Sequence, residues 1–246
     1  MYNVAVRKPH IHTTIKEIET MKKLTALLLV LVMVLSLAAC GKKAMSHKDF
    51  MAAAMDSEVV VDTYIQATQG WWEKEGQGVI TAYCQSKDGA YFAYEMKCTK
   101  EDAAKLIPGT KIRITGTKAE WSGEIEIVDA TFEFLKGNTY IAEAFDATAL
   151  LGTDKLIDHQ NEKATFKGLT VEKVEYQGGE PGKDIYLTVG LNGKSYGFCV
   201  ERYLSGTQSD VYLTVGNLQV GDVVDIEGFL YWYEGANPHI TNIVKK

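Results

Sequence analysis

Arginine is scarce in this sequence: Arg7, Arg113 and Arg202 are the complete set. No cluster of lysines compensates, so there is no basic stripe to follow a phosphate backbone. Histidine is nearly as thin. Beyond Cys40 only His47, His159 and His239 occur, too far apart in sequence for a legible His-based metal site. There is no H-E-x-x-H, no phosphate-cradling glycine loop and no G-x-S-x-G elbow, which leaves metalloprotease, nucleotide-hydrolysing and serine-hydrolase chemistry without a signature. A nuclease would set acids beside arginines that hold phosphate, and Arg113 and Arg202 fall in different halves of the chain. The expectation is a protein that is not an enzyme and that needs no metal and no cofactor.

No apolar run is long enough to cross a membrane. The segment Met21 to Cys40 reads MKKLTALLLVLVMVLSLAAC: two lysines, a charge-free and largely apolar run from Leu24 to Leu37, then Ala38, Ala39 and Cys40. About 14 residues fall short of the roughly 20 that a span requires. Leu37-Ala38-Ala39-Cys40 resembles the lipobox of bacterial lipoprotein precursors. That resemblance implies a signal peptide over residues 21–39 and a thioether-linked lipid on Cys40. The protein is then expected outside the cytoplasm, anchored to a bacterial membrane as a cell-envelope lipoprotein. Met21 has the form of a start, so residues 1–20 are expected to be a mis-called extension and are left out of the fold.

Five Lys/Arg and two acids precede Cys40, so the 26 basic and 32 acidic residues become 21 and 30, a net charge of −9 for the remainder. Nucleic acid is disfavoured on this ground. Cys84, Cys98 and Cys199 remain. A two-residue turn at Asp88-Gly89 would pair Lys87 with Ala90 and Cys84 with Ala93. Cys98 then lies roughly 17 Å along the strand at about 3.3 Å per residue, beyond the ~7 Å between Cα atoms that a disulfide tolerates. All three are expected to be unbonded and buried as small hydrophobes.

Residues 40–57 are expected as a tether and short helix, with Ser46 and Asp49 in capping positions. Strand patterns follow around Val59–Ile65, Val79–Gln85, Tyr91–Lys97, Lys111–Glu120 and Ile125–Phe134, with Thr99 capping a brief helix before Pro108-Gly109. The second half repeats the plan. Gly109-Thr110-Lys111-Ile112-Arg113-Ile114-Thr115-Gly116 matches Gly221-Asp222-Val223-Val224-Asp225-Ile226-Glu227-Gly228, and Asp88-Gly89 matches Asn192-Gly193, with a longer connection over Tyr203–Leu218.

The order β-β-β-α-β-β with a G-x-x-I/V-x-I-x-G fourth strand resembles the OB-fold. Both copies look like the tRNA-anticodon-binding-like OB domains of bacterial lipoproteins, over residues 56–136 and 164–246. The implied fold is mainly β: two tandem five-stranded Greek-key barrels over residues 58–136 and 164–246, joined by a linker over 137–163. Each carries a short helix before its fourth strand.

OB barrels bind ligands between the loop joining strands 1 and 2 and the loop joining strands 4 and 5. Those loops hold Trp71, Trp72 and Trp121 in the first copy, and Tyr231, Trp232, Tyr233, Asn237 and His239 in the second. Aromatic rings stack on sugars, peptide planes or bases. They also plug barrel ends and pack between domains, and adjacent Trp71 and Trp72 must point to opposite sides of an extended chain. Glu124, Glu126 and Asp129 are expected on a solvated strand face. The leading expectation is a membrane-anchored binding module for a peptide, glycan or partner protein. A structural adaptor that binds no ligand is the alternative, and single-stranded nucleic acid ranks last.

Overall fold

The computed structural model describes residues 43–246; Cys40 and the leader before it lie outside the described residues. Helix α1 (His47–Ala52) begins where expected, with Ser46 Oγ accepting from the Asp49 backbone N–H at 3.2 Å. Its buried Phe50 meets Tyr91 edge-on at 5.1 Å.

The first barrel comprises β1 (Glu58–Thr68), a short β2 (Trp72–Lys74), β3 (Gln77–Ser86), β4 (Gly89–Lys97), α2 (Lys100–Ala103), β5 (Lys111–Trp121) and β6 (Glu124–Phe134). Strand β1 pairs with β3, β3 with β4, β4 in parallel with β6, β6 with β5, and β5 returns to β1. That closed ring is the strand order of the OB-fold, and it leaves only β2 as an edge. Alternation fills it: Ile112 and Ile114 of β5 point inward with Val59, Val61, Ile80, Met96 and Ile127, while the residues between them stay half-exposed.

The second half runs through β7 (Phe145–Asp146), β8 (Lys163–Tyr176), β9 (Ile185–Leu191), β10 (Lys194–Val200), α3 (Arg202–Ser205), α4 (Asp210–Gly216), β11 (Val223–Phe229) and β12 (His239–Lys245). The pairings β8–β9, β9–β10, β10–β12 in parallel, β12–β11 and β11–β8 close the same ring. The longer connection becomes α3 and α4, which put Tyr212 and Val215 into the core.

Two details depart from the expected pattern. The first hairpin pairs Ser86 with Gly89 and Cys84 with Tyr91, so its turn is Lys87-Asp88 and Gly89 opens β4. A side chain at Gly89 (φ +154°) would strike the ring of His47, whose backbone N–H donates to Asp88 Oδ2 at 2.9 Å. The segment over residues 137–163 sends Ala147, Leu151 and Leu156 into the second core. It is also tied to the first barrel: Gln66 Oε1 accepts from the Ala142 N–H at 2.8 Å, and Gln160 Nε2 donates to the Gly123 carbonyl at 2.7 Å. Cys84, Cys98 and Cys199 are buried with free thiols.

The repeated glycine has a physical reason. At Gly116 a Cβ would lie 2.7 Å from both Ile127 Cγ2 and the Val128 carbonyl, and at Gly228 it would collide with the His239 carbonyl. Each sits where its hairpin shifts register, so the strands close too tightly for a side chain.

Candidate functional site

The outward face of β3 and β4 is where an OB barrel offers its ligand surface. Its central pair is Tyr83 and Phe92, and both are buried. Phe229 stacks on Tyr83 at 4.7 Å between ring centres, and Tyr231 meets Phe92 edge-on at 5.2 Å. His239 stacks on Tyr231 at 4.3 Å. The second barrel therefore caps most of the first barrel's ligand face with its own aromatic rings.

The two loops joining strands 4 and 5 are knitted into this seam. Glu124 accepts from Asn161 Nδ2 at 2.6 Å and from the Trp232 backbone N–H at 2.8 Å, and Glu234 N donates to the Ser122 carbonyl at 2.7 Å. Trp232 packs half-buried against the second core. Asn237 donates its backbone N–H to the Tyr231 carbonyl at 2.9 Å, holding the loop's turn. Burial drives the His239 imidazole down to a pKa of about 3. Tyr231, Trp232, Asn237 and His239 are thus part of the joint or its loop. Trp121 and Tyr233 remain exposed, away from the cleft described next.

That cleft, of about 420 Å³, stays open at the end of the capped face. The adjacent tryptophans divide as extended-chain geometry requires. Trp71 turns in over Gly78 and donates from Nε1 to the Cys98 carbonyl at 2.9 Å, plugging the barrel mouth. Trp72 turns out, 44% exposed, and lines the cleft with Thr81, Tyr94, Glu95 and Tyr203. Tyr203 comes from α3 of the other barrel; it is 59% exposed, and its carbonyl accepts from the Gly70 N–H at 3.1 Å. Arg202 lies over the Tyr203 ring at 4.5 Å. Of the eight loop residues expected at a site, only Trp71 and Trp72 meet here. Tyr94 could have been found by parity with Phe92 on β4. Nothing local in the sequence brings Tyr203 to Trp72.

Glu124 and Glu126 correct another expectation, because neither is on a solvated face. Glu124 is 0% exposed and Glu126 is also buried. Burial pushes the Glu124 carboxyl up to about 8 against the pull of its two donors. Burial, then the neighbouring Glu95 charge, raises Glu126 to about 7. Among the described residues no group of three His, Cys, Asp or Glu is placed to hold a metal ion, and no helix is long and apolar enough to cross a membrane.

No family model matches the chain, and no curated protein matches it. Among solved structures it is similar to the Ifi202 HINa domain in complex with 20bp dsDNA, at 15% identity and TM-score 0.35, covering 77% of this chain and 98% of that one. It is similar to a murine DNA binding protein bound with ds DNA at 12% identity and TM-score 0.37, covering 76% and 96%. A Replication Protein A heterotrimer bound to ssDNA aligns at 12% identity and TM-score 0.31, covering 75% of this chain and 50% of that one. At such scores the OB assignment rests on the strand pairings above. The expected ranking of partners is nevertheless corrected. Where a peptide, glycan or partner protein was expected and nucleic acid disfavoured, the similar structures are described as bound to dsDNA and ssDNA. The physical reason is that net charge governs phosphate contacts, whereas base–aromatic stacking requires no basic surface.

Proposed function

We propose that this tandem OB protein binds single-stranded nucleic acid by stacking bases in the cleft of Trp72, Tyr94 and Tyr203. The observation that carries the reading is that cleft: exposed rings from both barrels around about 420 Å³, on a stretch of the first barrel's ligand face that the second leaves open. It has room for unstacked bases. The acidic surface argues against a long phosphate track; Lys74 beside Glu95, Lys100 over Trp71 and Arg202 over Tyr203 are cations at the edge of the cleft. Binding rather than catalysis is the inferred role. We further propose that Cys40 carries lipid and holds the protein outside the cytoplasm; the Leu37–Cys40 motif alone supports this, and loss of fatty-acid labelling in Cys40→Ser would test it.

The test is a fluorescence titration of the full chain in detergent with single-stranded and duplex oligonucleotides. Single strands are expected to quench tryptophan emission with a shallow salt slope, about −1 to −2, given roughly −0.7 per phosphate contacted. Trp72→Ala is expected to weaken binding about tenfold or more, since stacking contributes about 1–3 kcal/mol per base. Trp121→Ala, outside the cleft, is the control. Duplex binding tighter than single-strand binding would overturn the single-strand reading. No binding in any arm would leave a structural spacer, the reading the capped face favours by itself.

A further inference from the structure

Stacking uses the rings of the cleft and ignores its one acid. Strand β4 carries a bulge there: Ala82 pairs with Ala93 and Ile80 with Met96, so Tyr94 and Glu95 stand opposite Thr81 alone. Glu95 absorbs the extra residue at φ +48°, a left-handed backbone that a non-glycine residue holds only under constraint. Such conformations concentrate at ligand sites because the surrounding structure must enforce them.

Two contacts enforce this one. The Glu95 backbone N–H donates to Thr81 Oγ1 at 3.1 Å. Lys74 Nζ on β2 pairs with the Glu95 carboxylate. The Glu95 side chain is 13% exposed and lines the same cleft as Trp72 and Tyr203. An acceptor is thereby fixed in the wall of a stacking site with a donor, Lys74, beside it.

An ionised carboxylate only accepts, and its two oxygens retain lone pairs beyond the one taken by Lys74. The bases differ in what their Watson–Crick edges offer. Guanine presents two adjacent donors, N1–H and the N2 amino group, next to the O6 acceptor. Adenine and cytosine present one amino group beside a ring-nitrogen acceptor, whose lone pair would face the carboxylate. Thymine sets its N3–H between two carbonyl oxygens. Only guanine matches two acceptor oxygens flanked by an ammonium donor. We propose that Glu95 reads the edge of the base stacked in the cleft and selects guanine. This specificity rests on the nucleic-acid reading above.

The experiment uses the full chain and five single-stranded pentamers, TTXTT, with X as guanine, inosine, adenine, cytosine or thymine. The guanine pentamer is expected to bind about tenfold tighter than the adenine, cytosine and thymine ones, in the range of a good bidentate base contact. Inosine keeps N1–H and lacks the N2 amino group, so it is expected to fall between; this comparison needs no variant to fold. Glu95→Gln replaces one acceptor with a donor and is expected to bring the guanine-to-adenine affinity ratio close to one. Equal affinities for all five pentamers, or a guanine preference that survives Glu95→Gln, would overturn the selection and leave stacking intact. Absence of binding by every pentamer would overturn the nucleic-acid reading and the selection together.

Discussion

The hydroxyl of Tyr83 and Nδ1 of His239, 156 residues apart in sequence, share a hydrogen bond of 2.6 Å in the buried seam between the barrels. Tyr83 belongs to the outward face of the first barrel and His239 opens the last strand of the second, so this contact reports directly on their union. Tyr83→Phe is expected to cost about 1–3 kcal/mol, because a buried ring nitrogen loses its partner while the packing persists. Adding His239→Phe should recover part of that loss, since removing both polar partners is cheaper than removing one. Urea unfolding of the two single variants and the double variant measures the coupling. Strict additivity would mean that the contact contributes nothing.

The seam also predicts a pH dependence. Glu124 rises from 4.5 to about 8 on folding, so the folded protein keeps a proton that the unfolded chain has already released. Its contribution is complete below pH 4.5 and declines as pH rises toward 8. Glu126, raised to about 7, acts with the same sign. His239, lowered from 6.5 to about 3, acts oppositely, losing stability as pH falls below 6.5. Between pH 6.5 and 8 nothing from His239 offsets the carboxyls. Stability there should drop by on the order of 2 kcal/mol, at about 1.4 kcal/mol per proton per pH unit. Glu124→Gln should flatten the profile; an unchanged slope would assign the effect to other groups.

Gly228 makes the third prediction. Its missing side chain is what lets β11 approach the His239 carbonyl. Gly228→Ala should destabilise by about 1–3 kcal/mol, since backbone must move to admit a methyl group. Gly197→Ala, on β10 with open space around the added carbon, should stay within about 0.5 kcal/mol. Melting temperatures of the pair make the comparison.

The barrel strands were legible because apolar parity in segments such as Ile112–Ile114 is local, and so were the helix caps at Ser46 and Thr99. The repeated glycines Gly116 and Gly228 could be aligned before their crowding was visible. The bulge at Tyr94-Glu95 was hidden, because an extra residue in a strand leaves no mark on a pattern that is merely interrupted. The seam was hidden for a different reason. An aromatic ring outside a barrel reads the same whether it awaits a ligand or a neighbouring domain, and only tertiary contact separates Trp72 from Trp232.

The capped face gives the repeat a direction. Three residues in from the closing pair of each first hairpin, the first copy sets Tyr83 across from Phe92, whereas the second sets Thr188 across from Gly197. Only the leading copy carries the landing pad and only the trailing copy supplies the rings that fill it. Exchanging the two along the chain would leave a sticky aromatic surface at one end and a bare pairing of threonine with glycine at the joint. Nor could a third copy extend the array by the same contact.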